Sequence, residues 1–364
     1  MMDFGLLIAP LMAGAAVFTL ALLTGEDVAI GRITVPDALE SRGYSDVVIT
    51  RQISDHIRDV NYFASSEVAS LHVEHDKLEQ TVGAFEQFFE IQLLITGTRN
   101  LLGLIPVYID GELTEDEEDL VMTVRVYHQE DLPMHLVKVR GEPDQIDSML
   151  RTAAIDILTG INPYITALYF RREEQAAGNW DFPETRRLAE HFLSEWPVEQ
   201  HFRMYALLGR MHMLKAEHDL TLSDAERAAE YERAEELLRG ALLQEPNFLF
   251  PHINLAVIHT SRGEYELAEA AFKRAAELNP RYRTTRELWA QMLLEQGKTH
   301  EALAQYVAAV EIDREDPELR YRLAKLYREI GRPDLASEQM ARAVKLRPGE
   351  RKYLQGWRAL AAAG

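Results

Sequence analysis

The segment Gly263–Pro280, GEYELAEAAFKRAAELNP, returns twice further along the chain in altered form, each time after a step of 34 residues. Gly263 is matched by Gly297 and Gly331, Ala268 by Ala302 and Ala336, and Ala275 by Ala309 and Ala343. At the same step Ala256 recurs as Ala290 and Ala324, Leu255 as Trp289 and Leu323, and Phe272 as Tyr306 and Met340. Pro280 returns as Pro348, with Arg314 breaking the pattern between them. A fixed period of this length restricts the fold severely. Each unit is one supersecondary element that buries its apolar face only by stacking on its neighbours.

This period, with its alternation of small and large apolar positions, resembles the tetratricopeptide repeat (TPR), two antiparallel helices per unit. The resemblance implies alanine where the helices of a hairpin approach most closely and bulky side chains between successive hairpins. Glycine then opens the turn between helices, and proline stops the second helix. Upstream, FRMYALLGRMHMLKA and ERAEELLRGALLQEP form a less regular pair, with about 13 extra residues around EHDLTLSDAERAA. PYITALYFRREEQ and ETRRLAEHFLSEWP read as a degenerate first pair, giving about five pairs from residue 159. ERKYLQGWRALAAA reads as a terminal cap, with Tyr353 and Trp357 packing onto the last pair.

A solenoid of this kind carries a concave face lined by the first helix of each unit. By register the inward residues are Arg203, Arg210 and Met213, then Phe250, Ile253 and Val257. Glu287 and Gln291 follow, and Tyr321, Lys325 and Arg328 close the series. A groove with an apolar middle and charged ends suits an extended peptide or a helix of another protein. The lysine/asparagine clamp of chaperone-binding family members is not matched.

Between residues 31 and 158 the periodicity changes. SDVVITRQISDHIRDVNYFA places Val48, Ile49, Ile53, Ile57 and Val60 at helical spacing, with Ser45 or Asp46 as cap. KLEQTVGAFEQFFEIQLLITGTRNLLG offers a second helix. VYIDGEL and LVMTVRVYH alternate and are β-branched, with TEDEED as a hairpin tip between them. HLVKVRGE reads as a third strand and DQIDSMLRTAAIDIL as a closing helix. These elements predict an α+β module with a small, mostly antiparallel sheet. Their order, on VYIDGELTEDEEDLVMTVRVYHQ and the strand and helix after it, resembles the TolB amino-terminal type of α/β domain. That resemblance implies a structural or docking module; for its usual opening strand, IGRITVP is the only candidate.

The first 30 residues hold an uncharged run of 20, Phe4–Leu23, long enough as a helix to span a bilayer's hydrocarbon core. It reads as a single-pass membrane anchor through Phe4, Leu7, Leu11, Phe18 and Leu22. A cleaved signal peptide and a buried helix are the competing readings. The anchor predicts a membrane protein with its bulk in the periplasm, and integral-membrane subunits and the lipid bilayer among its partners. The fold class expected is therefore an α+β domain (31–158) followed by an all-α TPR solenoid (159–364), behind an N-terminal transmembrane helix (1–30).

The net charge is −20 and uneven: residues 1–150 hold 26 acidic and 9 basic side chains. Such acidity repels phosphate backbones, so nucleic acid is not an expected partner. The absence of cysteine excludes disulfides, thiolate metal sites and a cysteine nucleophile. His72, Glu74, His75 and Asp76 lack a further ligand nearby, so they read as solvated surface. His252 and His259 read as packing groups, and the acidic run Glu115–Asp119 lacks the glycine of a calcium loop. No phosphate-binding loop or serine nucleophile motif is present. The sequence thus predicts a scaffold or accessory subunit that binds other proteins, without cofactor, metal or enzymatic activity. An envelope module binding peptide or glycan is the alternative.

Overall fold

The computed structural model describes residues 28–65, 107–128 and 135–361, and elements are numbered in chain order over these residues. The chain divides into two compact units, Met1–Phe192 and Leu193–Gly364.

The first unit is built on a four-stranded sheet in the order β1 (Val28–Thr34), β2 (Val107–Asp116), β3 (Asp119–His128), β4 (His135–Gly141). IGRITVP does contribute a strand: β1 pairs parallel to β2, and the other pairings are antiparallel. The β2–β3 turn is tighter than TEDEED suggests. Pairing continues to Asp116 opposite Asp119, and Glu117 takes φ 60° to close the turn. Period-2 alternation sends Ile109, Leu113, Met122, Val124, Val137 and Val139 to one face. There they meet Ile49 and Ile53 of α2 (Asp46–Ser65) and Met149, Leu150 and Ile157 of α3 (Ile146–Ile161). A short helix, α1 (Asp37–Glu40), adds Leu39 to this core. Ile53 is fully buried, so Ile53→Ala removes about 2–5 kcal/mol of folding stability. The α2 stripe runs through Ile49, Ile53, Ile57 and Val60; Val48, placed on it by spacing, is exposed. The opposite face of the sheet is polar, with Arg125 between Glu112 at 2.6 Å and Asp110 at 3.8 Å.

Helix α4 (Pro163–Ala176) packs on α2 and α3, its Tyr169 lying beside Val60 and Leu158. The buried Glu174 carboxylate at its end caps α5 (Pro183–Glu195). It accepts from the backbone N–H of Glu184 at 2.7 Å and the Thr185 hydroxyl at 2.6 Å. These contacts satisfy donors that a helix start leaves open.

The second unit, after a 3-10 turn at Val198–Gln200, is a succession of helix pairs. They are α6 (His201–His218) with α7 (Asp224–Gln244), α8 (Leu249–Ser261) with α9 (Tyr265–Leu278), and α10 (Arg283–Glu295) with α11 (Thr299–Ile312). Then come α12 (Pro317–Glu329) with α13 (Pro333–Leu346), and finally α14 (Arg351–Ala361). Regular pairs use helices of 13 and 14 residues; α6 and α7 absorb the extra residues by lengthening to 18 and 21. A Ser223–Glu226 capping box starts α7.

The repeat fixes the hairpins through two devices. All nine periodic alanines are fully buried, as close helix approach requires. Gly209 fills the corresponding place in α6, and a Cβ there would sit 2.7 Å from Leu238 of α7. Gly263, Gly297 and Gly331 all adopt φ between 71° and 73°. Each ends its helix with a 6→1 bond in the next residue, as from Glu264 N–H to His259 C=O at 2.8 Å. Nothing crowds these three glycines, so backbone conformation and not space selects them.

The membrane localisation expected from the N-terminal run is corrected. Among the described residues no helix is long and apolar enough to cross a membrane. The two longest, α2 and α7, carry charged side chains along their length. Nothing among the described residues supports the lipid and integral-membrane partners. The anchor residues Phe4, Leu7, Leu11, Phe18 and Leu22 lie outside the described residues, as do His72, Glu74, His75, Asp76 and the helix expected over KLEQTVGAFEQFFEIQLLITGTRNLLG.

Candidate functional site

Helices α6, α8, α10, α12 and α14 hold the first-helix positions of successive units. Their residues named by register divide by burial. Met213 is fully buried with Ala234, Leu238 and Ile258, and Ile253 is 5% exposed, so neither meets a ligand without repacking. Phe250, Val257, Glu287, Gln291 and Tyr321 are half-buried, while Arg203, Lys325 and Arg328 are exposed. Arg203 lies over the Phe202 ring at 5.4 Å, and Arg210 donates to Asn254 Oδ1 of α8 at 3.3 Å.

Two chemistries join these helices. From α6 to α10 the joint is aromatic. Phe202, Phe248, Phe250 and Tyr282 follow one another edge to face, with centroids 5.1, 5.6 and 5.8 Å apart. All four rings are half-buried. Each such pair adds about 0.5–1.5 kcal/mol beyond its buried area.

From α10 to α14 the joint is ionic. Arg283 reaches Asp316 at 2.9 Å and Asp313 at 3.4 Å, and Asp316 itself caps α12. Arg322 bridges Glu287 at 3.2 Å and Glu318 at 3.4 Å. Glu318 continues to Lys352 Nζ at 2.5 Å and accepts from the Tyr353 hydroxyl at 3.0 Å. Burial pushes the Glu318 carboxyl up. The bonds from Lys352 and Tyr353 and the charges of Lys352 and Arg322 outweigh it, and the net shift is downward. Beneath the row, burial raises the Tyr306 phenol, whose hydroxyl meets Arg322 and Gln291. A cleft of about 470 Å³ opens between α12 and α14, lined by Asp316, Glu318, Arg322, Arg347 and Lys352 among others.

The terminal helix seats Tyr353 fully, 5.4 Å from Tyr321. Trp357, expected to pack onto the last pair, is 43% exposed. It stands at the position of Leu323 in the preceding unit, and α14 has no second helix to cover it among the described residues.

The register reading missed Phe202, Phe248 and Tyr282, along with Arg283, Glu318, Arg322 and Lys352. A signal for two of them was available, since Phe250 maps by the 34-residue step onto Thr284, Glu318 and Lys352. Phe248 and Tyr282 also stand 34 residues apart, each just before a first helix, whereas Phe202, Arg283 and Arg322 have no such periodic signature.

A family model described as tetratricopeptide repeat matches residues 293–361, and a second of the same description matches residues 252–282. The C-terminal half of this chain carries tetratricopeptide repeats. Solved structures similar to the chain include a thermophilic TPR protein of Thermus thermophilus, with 22% identity and a TM-score of 0.40, covering 55% of this chain and 99% of that one. YrrB, a TPR protein with an unusual peptide-binding site, gives 18% identity and a TM-score of 0.36, covering 56% and 98%. Among curated proteins, the protein O-mannosyl-transferase TMTC3 of Homo sapiens is 30% identical over 105 residues, 28% of this chain and 12% of the relative's length. Both family matches lie between residues 252 and 361, so neither supports the TolB-type resemblance of the middle region. The repeats make the C-terminal half a module for protein–protein interaction, a task that tetratricopeptide arrays perform by packing other polypeptides against their helices.

Proposed function

We propose that the protein is a scaffold whose tetratricopeptide array holds a polypeptide along the face of its first helices. The observation that carries this reading is the partial exposure of Val257 and Gln291, and of Glu287 and Tyr321, each pair one 34-residue step apart, with Phe250 half-buried on the same helix as Val257. Half-buried positions repeated along a stack are the ones a bound segment covers without repacking the interior. The apolar stretch from Phe250 to Val257 anchors the segment, and the charged positions after Glu287 set its direction.

The full chain is to be screened against a phage-displayed random peptide library. Enriched peptides should lose binding to the double variant Val257→Glu, Gln291→Glu while its melting temperature stays close to wild type. Peptides that bind this variant as tightly as wild type would show that another surface does the work.

A further inference from the structure

The whole chain is acidic, yet its end is not. Residues 317–364 hold 11 Lys and Arg against 5 Asp and Glu, a local balance of +6 within a total of −20. Most acidic groups near this end are already engaged. Glu318 is held by Lys352 and Arg322, Asp334 by Arg332 and Glu338 by Arg342. The cations are not all engaged in return. Lys325 and Arg328 are exposed on α12, and among the described residues no carboxylate lies within ion-pair distance of either.

The two free cations fall on the face already proposed to hold a polypeptide. Lys325 Nζ lies 5.8 Å from the centre of the Tyr321 ring, and Lys352 Nζ lies 5.9 Å from the same ring. Arg328 follows Lys325 by three residues and extends the stripe. Tyr321 therefore presents a half-buried ring flanked by ammonium groups, with a guanidinium beyond. We infer that this end of the array docks an acidic segment of a partner protein. Its carboxylates face Lys325 and Arg328, and its chain lies across Tyr321. The inference rests on the groove reading and names the chemistry of what the groove takes. A local excess of positive charge over residues 317–364 also steers an acidic segment toward Lys325 and Arg328.

The test uses the full chain and a fluorescein-labelled octaglutamate peptide, followed by anisotropy. Octaglutamate is expected to bind, with affinity falling about tenfold between roughly 50 and 200 mM salt as the charges are screened. Lys325→Glu with Arg328→Glu is expected to weaken it at least about tenfold through like-charge repulsion. Lys325→Ala with Arg328→Ala serves as a milder pair, and melting temperature checks the fold of both. Octaglutamate bound equally by wild type and the Glu pair overturns the inference, as does no binding at low salt. Tighter binding of a single-stranded oligonucleotide than of octaglutamate overturns it too. So does a concentration-dependent rise in mass at low salt that the Glu pair abolishes, because the occupant is then a second copy. The two readings fail separately. Library peptides released by Val257→Glu, Gln291→Glu but not by the Lys325, Arg328 pairs leave the groove and remove the acidic docking. Peptides released by neither set remove both.

Discussion

The two joints of the repeat array connect equivalent helices by different means. Between α6 and α10, Phe202, Phe248, Phe250 and Tyr282 meet edge to face. Between α10 and α14, Arg283, Glu287, Arg322, Glu318 and Lys352 alternate in sign. The underlying hairpins are the same in both, with alanines buried at the same step. What differs is the layer that the repeat consensus leaves free. An aromatic joint gains from buried area and is indifferent to salt and mild acid. An ionic joint of partly exposed groups is worth less and answers to both. One array thus joins its units by an apolar stretch that salt leaves unchanged and a charged stretch that salt weakens.

The largest effect should come from the shared part and set the scale for the rest. Ala302→Leu places a larger side chain where α10 and α11 touch, and Ala302 is fully buried. A loss of about 1–3 kcal/mol is expected in urea unfolding. An unchanged midpoint would mean that the hairpins tolerate looseness, and the joints would then matter more than the pairs.

Phe250→Ala removes the ring with neighbours on both sides. The expected cost is about 2 kcal/mol, half that of a fully buried phenylalanine. The same value should be found at low salt and at about 1 M salt. A cost that halves with salt would erase the distinction between the joints.

Glu318→Gln should cost about 1 kcal/mol at low salt and nothing measurable at about 1 M. It also has a pH signature. The folded-state value of Glu318 lies below its ordinary 4.5, so its contribution is present above 4.5 and is lost as pH falls through the lowered value. The gap in melting temperature between wild type and Glu318→Gln should therefore close in acid. A gap that persists once the carboxyl is protonated would mean that the glutamate is missed for its shape and not for its charge.

The smallest effect has the opposite sign. Burial pushes the Glu217 carboxyl of α6 up, against the lowering charges of Arg210 and His218. Its ionised form costs stability above the raised value, so Glu217→Gln should raise the melting temperature slightly at neutral pH. Below about pH 4 the two proteins should melt together. Lower stability of the variant at pH 7 would show that the carboxylate is needed as an ion beside Arg210 and His218.

Much of this was legible in the chain before the structure. Gly263, Gly297 and Gly331 announced left-handed helix ends, and Ala268, Ala302 and Ala336 announced close approach, because backbone geometry leaves few residues able to serve there. The strands β2, β3 and β4 were equally plain from alternation and β-branching. The site was less so. Register alone put Met213 on the binding face, although in the longer α6–α7 pair that position turns into the interior. Trp357 reads as part of a cap packed onto the last pair, yet it is 43% exposed, because burial there needs a covering helix. The ion row was hidden because charged residues at half-exposed positions look the same in a sequence whether they are paired or solvated. The uncharged run Phe4–Leu23 meets the length criterion for a span, but it lies outside the described residues.

Hydrogen exchange of the full chain, with and without a peptide enriched from the library, tests the central claim most directly. The account expects added protection in α8, α10 and α12, where Val257, Gln291 and Tyr321 lie, with β2, β3 and β4 unchanged. Protection gained in the strands, or in the second helices α9, α11 and α13 alone, would contradict it.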